Sequence, residues 1–249
     1  MKLAIQKNVQ MRSLTLLLFF ALALFSTACN KEKEEPEAVL NEEEIVALVE
    51  GAMMKSTDGL AAQTESAVVI AEDYAAKTVL GGPCGQTKDS TLTYNFSNAF
   101  ITAAYSSTLE WTLNCNNAMI PQSLDFNRIG TGTYETARMT SDDNAEGNWL
   151  VENLVTGDNY VFNGMYVRQG SQTSKVRNQN TFTSTLTITG SNLNLSKATR
   201  RLASGTANFT LVGSGTGGRS FNYEGSLVFN GNGSVTITVN GQTRTIDLY

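Results

Sequence analysis

Few side chains in this 249-residue chain could do chemistry, and their types narrow the possibilities at once. Histidine is absent, so Ser-His-Asp and Cys-His triads, HExxH metal sites and every imidazole base are excluded. Carboxylates remain. In Asp142-Asp143-Asn144-Ala145-Glu146-Gly147, the oxygens of Asp142, Asn144 and Glu146 alternate ahead of a glycine, which is how a calcium loop opens. Its twelfth position would be Asn153, with Glu152 one residue early and no flanking helices. A polar turn between two strands accounts for the same residues. Two acids about 5–10 Å apart would suffice for glycoside hydrolysis. Asp143, Glu152 and Asp158 are candidates, though no spacing distinguishes them. Gly213 to Gly218 lacks the Lys-Ser/Thr of a phosphate loop and reads as a flexible hairpin loop.

Aromatic side chains could instead bind by stacking on sugars or peptides. Trp111, Trp149, Tyr160 and Tyr166 are the candidates. Trp111 aligns with Leu109 and Leu113 on an apolar face and reads as core. Tyr166 shares the opposite face with Arg168, which makes that pair the expected exposed binding residues.

Three cysteines, Cys29, Cys84 and Cys115, divide into one and two. Lys2, Lys7 and Arg12, with no acid, precede an apolar run from Leu14 to Phe25, and Ser26-Thr27-Ala28 leads into Cys29. That is a secretory signal over 1–28, its apolar run shorter than the ~20 residues a spanning helix needs. Residues 11–28 form a complete signal by themselves, so Met11 is an alternative start. Phe25-Ser26-Thr27-Ala28-Cys29 resembles the lipobox of bacterial lipoproteins, although Ser26 stands where Leu is usual. The resemblance implies cleavage before Cys29 and a covalent lipid on it. The charged run that follows, over residues 29–40, reads as a solvated tether. It also resembles the surface-export signal of Bacteroidota lipoproteins, which favours the cell surface over the periplasm, on the outer membrane in either case. With Cys29 lipidated, Cys84 and Cys115 are an even pair in an exported protein, and a disulfide is expected.

Charge is unevenly placed. Residues 29–85 carry 4 basic and 12 acidic side chains, whereas residues 86–249 carry 11 of each. No basic stripe exists, so nucleic acid has no electrostatic footprint.

The elements that must position these groups follow from periodicity. Asn41 caps a helical segment over 41–80 that buries Ile45, Leu48, Val49, Ala52 and Met53. Ser56-Thr57-Asp58-Gly59 interrupts it. The second half carries a stripe of mostly small residues, Leu60, Thr64, Ala67, Ala71, Tyr74 and Thr78, and Gly81-Gly82-Pro83 ends it. From Gln86 the period becomes 2, as in Leu92, Tyr94 and Phe96. Asn163-Gly164 and Asn240-Gly241 read as two-residue hairpins, and Asn230-Gly231-Asn232-Gly233 as a further turn. The second hairpin sets Ile246 opposite Val235.

The expected fold is mainly β over 84–249: an antiparallel meander of about 10–11 strands, curved or an open barrel around the helix. A β-sandwich with the helix outside is the alternative. The half-barrel is similar to periplasmic lipoprotein carriers, without a shared motif. Asp89-Ser90-Thr91 resembles the O-glycosylation motif of Bacteroidota exported proteins. The expected role is a membrane-anchored, non-catalytic binding or structural lipoprotein with a protein, glycan or apolar partner. A carrier of an apolar ligand in a half-barrel cavity is the alternative, and a hydrolase using paired carboxylates comes third.

Overall fold

The chain buries its apolar residues by winding one long antiparallel sheet around a broken helix. A computed structural model describes residues 40–77, 83–176, 180–215 and 217–249, with side chains left out at 75–77. The signal, Cys29 and most of the tether lie outside the described residues.

Helix α1 (Glu42–Met53) starts where the sequence places it. The Asn41 side chain accepts from the Glu44 backbone N–H at 2.8 Å, and the Glu44 carboxylate accepts from the Asn41 N–H at 3.0 Å. This reciprocal cap satisfies two of the orphan donors at a helix start. Ile45, Leu48, Val49, Ala52 and Met53 are all buried, each contributing about 1.5–3 kcal/mol where the side chain is a full-sized aliphatic. A 3-10 turn (Lys55–Thr57) follows, and Asp58 closes it in the left-handed region at φ 54°. Gly59 is required next, because a Cβ there would come within 2.5 Å of the Ala52 carbonyl oxygen. The reversal sends α2 (Leu60–Lys77) back across the sheet. Its predicted stripe is the packed face: Leu60, Thr64, Ala67 and Ala71 are fully buried and Tyr74 half-buried. Thr78, Gly81 and Gly82 lie outside the described residues.

Ten strands then run in sequence order within one sheet, each antiparallel to the last. They are β1 (Thr87–Ser97), β2 (Thr102–Cys115), β3 (Pro121–Glu135), β4 (Met139–Glu152), β5 (Asn159–Ser174), β6 (Thr181–Ser196), β7 (Leu202–Gly215), β8 (Ser220–Gly231), β9 (Ser234–Val239) and β10 (Gln242–Asp247). The sheet curls without closing into a barrel, and a single sheet rules out the sandwich. On β2 the alternation is strict: it buries Ala103, Tyr105, Ser107, Leu109, Trp111 and Leu113 and exposes the residues between or leaves them partly exposed. The outer face is hydroxyl- and amide-rich; on β6 it presents Thr181, Thr183, Thr185, Thr187 and Thr189, exposed or half-buried.

One hairpin reads correctly and one does not. Asn240 and Gly241 both take positive φ (50° and 78°), and Ile246 faces Val235 as expected. Asn232, Gly231 and Gly233 likewise turn β8 into β9. Asn163 and Gly164, however, lie inside the 16-residue strand β5, at a register shift beside Phe162. The glycine serves close approach there, since a Cβ on Gly164 would stand 2.0 Å from the Asn148 carbonyl oxygen. Residues 142–148 are also mid-strand, in β4, not a turn. Gly213 and Gly215 belong to β7, whereas Gly217 and Gly218, at positive φ, lie in the expected hairpin loop that leads into β8.

The sheet's two free edges meet at one residue. The Tyr94 hydroxyl of β1 donates to the Lys55 carbonyl at 2.9 Å, and the Lys55 N–H donates to the Leu248 carbonyl, just past β10, at 2.7 Å. The 3-10 turn thus occupies the seam that a closed barrel would seal with a strand pair.

Candidate functional site

Between helices and sheet lie two buried ion pairs, both unforeseen. The first clamps α1. Arg168 (β5) sits 3.1 Å by its Nε from an Asp143 (β4) carboxylate oxygen. Its Nη1 donates to the Gly51 carbonyl and its Nη2 to the Thr57 carbonyl at 2.8 Å. The cation thus caps the C-terminal turn of α1, where the helix dipole is negative. Tyr105 and Tyr134 flank the guanidinium with ring centres 5.3 and 5.1 Å away, at cation–π distance. Asp143 also accepts from Tyr105 (2.9 Å) and Ser141 (2.6 Å), and Ser141 links through Gln172 to Ser184. Burial opposes the Arg168 charge, but the Asp143 carboxylate holds its pKa above the ordinary value. Burial also raises the hydroxyls of Tyr105, Tyr134 and Tyr166, so they stay protonated.

Tyr166 and Arg168 are therefore not an exposed pair; they are 0% and 3% accessible. The reason is parity. A hairpin at Asn163-Gly164 would flip the faces of everything after it, whereas the continuous strand keeps Tyr160, Phe162, Tyr166 and Arg168 all inward. Trp111, Trp149 and Tyr160 are buried too, with Trp111 edge-on to Tyr74 at 5.7 Å between ring centres.

The second ion pair lies under a groove. Arg128 (β3) donates through Nη2 to both Asp58 oxygens at 2.6 Å, to Ser107 at 3.2 Å, and through Nη1 to Ser66 at 3.2 Å. Both residues are buried, 1% and 2% accessible. Burial pushes the Asp58 carboxyl up, against the pull of Arg128. Guanidinium has no acceptor for a carboxyl proton, so short contacts to both oxygens are those of the ionised pair. Above it, α2 and the first strands leave a groove of about 400 Å³. Val69 and Ile70 form one wall and Leu92, Leu109 and Trp111 the other. The Lys55–Glu65 ion pair (2.6 Å) also lines it, as does Tyr94, whose hydroxyl burial pushes up to about 12. Sequence could have flagged Arg128, an arginine in the inward register of Leu124 and Phe126; nothing local reveals the groove, which five separate elements build: the 3-10 turn, α2, β1, β2 and β3.

A larger depression of about 750 Å³ lies at the rim formed by the ends of β2 to β7, lined mainly by short hydroxyl side chains from both faces of the sheet, with a few apolar ones. Apolar walls over buried charge distinguish the groove beside α2 as the better ligand site.

The other expected groups do not converge. Asp142, Asn144 and Glu146 point outward from an extended strand, about 7 Å apart in succession, instead of curling around an ion. No cluster of three metal-ligating acids or cysteines occurs among the described residues. Asp143 faces inward and Glu152 outward nine residues along the same strand, about 30 Å away. Asp158 lies in the following loop, exposed. Cys84 and Cys115 are bridged, with 5.7 Å between Cα atoms, which ties the start of β1 to the end of β2. Asp89-Ser90-Thr91 is exposed on the edge strand. No family model, curated protein or solved structure matches the chain.

Proposed function

We propose that this is a lipid-anchored envelope lipoprotein whose β-domain is a non-catalytic binding module, with the groove beside α2 as its binding site. The observation that carries the reading is the groove itself. It gathers apolar side chains from α2, β1 and β2 at a place where the core could have closed over them. The Lys and Arg groups there are already matched by Glu65 and Asp58, so the site offers shape and apolar surface and leaves no unmatched reactive charge. The helices fill the concave side of the sheet, where a half-barrel carrier would hold its ligand, and the room for an apolar partner lies at the edge. Cys29 supplies the anchor in this reading, and the outer membrane, on its surface side, the location.

Two measurements test it. Cys29→Ser abolishes incorporation of labelled palmitate and releases the protein from the membrane fraction; retained label refutes the anchor. A photo-crosslinking side chain at Val69, in the groove, forms a discrete adduct in intact cells, while one at Val228, on the outer face, does not. The two positions are similarly exposed, 46% and 42%, so equal labelling removes the groove from consideration.

A further inference from the structure

We infer that the groove takes a long apolar chain headed by an uncharged carbonyl, an acyl ester, with Trp111 and Arg128 as its hydrogen-bond donors. The inference rests on the groove being the binding site and adds the chemistry of what fills it.

Two unpartnered donors carry the first half of the case. The Trp111 indole Nε1 and the Arg128 Nε are both buried with no hydrogen-bond partner, and both side chains line this groove. They are 8% and 1% accessible. Buried N–H groups in native proteins are normally satisfied, and leaving one unmade is costly. A ligand that brings an acceptor oxygen between apolar walls relieves that cost. A pure alkane does not.

Charge carries the second half. Arg128 is matched by Asp58 and Lys55 by Glu65, at 2.6 Å in each case. The lining is therefore neutral, and a carboxylate headgroup would add an uncompensated negative charge beside Asp58 and Glu65. An ester brings acceptor oxygens for these N–H groups and no charge. Leu92, Leu109, Val69 and Ile70 then cover the alkyl chain.

The chain itself supplies the reporter. Its tryptophans number two, of which Trp111 lines the groove and Trp149 is buried under the sheet. The experiment uses residues 29–249, produced without acylation and with the Cys84–Cys115 bridge formed. It is titrated with a brominated stearic acid methyl ester, the brominated free acid at pH 8 and a brominated alkane of equal length. Expected is saturable quenching of Trp111 by the ester, with the acid and the alkane several-fold weaker. Trp111→Phe keeps an aromatic, apolar side chain and removes the N–H; its affinity is read by displacement of a fluorescent acyl ester. The ester then loses roughly two- to tenfold and the alkane nothing. Leu92→Arg, at the half-buried edge strand, blocks all three probes while the melting curve stays cooperative.

Each other outcome is decisive. Equal binding of ester and alkane, with no effect of Trp111→Phe, overturns the acyl-ester assignment and leaves the groove standing. Tighter binding of the free acid overturns the neutral-lining argument. Absence of saturable quenching by any probe, or insensitivity to Leu92→Arg, removes the groove as a binding site altogether.

Discussion

Replacing Arg168 by methionine isolates the contact that fixes the helical turn in the sheet. The substitution keeps a long flexible chain between Tyr105 and Tyr134 but removes the charge. Asp143 is then left buried without its cation, with only the Tyr105 and Ser141 hydroxyls donating to it. The Gly51 and Thr57 carbonyls lose their donor. Breaking one side of a buried ion pair costs about 3–5 kcal/mol. At about 2–4 °C per kcal/mol for a domain of this size, Tm falls by roughly 6–20 °C. Removing Asp143 as well, in Arg168→Met/Asp143→Leu, eliminates the stranded carboxyl group. The double variant is therefore more stable than the sum of the single losses predicts, by at least about 1 kcal/mol. Thermal and urea unfolding of the wild type, Asp143→Leu, Arg168→Met and the double variant close the cycle. Strict additivity, or a loss below about 1 kcal/mol for Arg168→Met, would falsify the clamp.

Gly164→Ala should be among the most damaging glycine substitutions, because its Cβ meets the Asn148 carbonyl at 2.0 Å and a β-strand backbone cannot yield. We expect about 1–3 kcal/mol or more in urea denaturation, against about 1–2 kcal/mol for Gly241→Ala, where space is open and only the positive φ opposes a side chain. Equal losses would show that Asn148 moves aside. Glu50 makes a prediction in pH. Burial raises its pKa above 4.5, against the pull of Arg244 and Arg138. The folded state therefore holds this proton to higher pH than the unfolded chain, and the group costs stability as pH rises through its folded value. Glu50→Gln is thus more stable than wild type at pH 7, with the advantage gone well below pH 4.5; a constant difference across that range contradicts the assignment.

The same dipeptide shows what was legible in the residues and what was not. Asn240-Gly241 and Asn163-Gly164 are indistinguishable as local signals. Only the first has flanks that pair with each other; the flanks of the second pair with β4 and β6, and that information lies in other strands. One false turn then inverted the faces of Tyr166 and Arg168. Signals with local causes read correctly: the Asn41 cap, the Ser56 to Gly59 break, the small-residue stripe of α2, the Cys84–Cys115 bridge and the meander. The groove and its ion pair escaped because Asp58 and Arg128 meet across 70 residues of chain. Pairing of that range leaves no periodicity.

Lys55 has a consequence in time. It precedes every strand, yet one of its partners, Leu248, follows the last of them. A polypeptide emerging from its N-terminus displays the helical turn before any of the ten strands and must wait for Leu248, beyond β10, before that bond forms. Until then β1 and each newly added strand present unpaired backbone along an open edge. Loop closure over nearly the whole domain makes this final step slow. The threonine-, serine- and asparagine-rich outer face is suited to that interval, since it keeps a half-built sheet wet on one side while the other waits to be sealed.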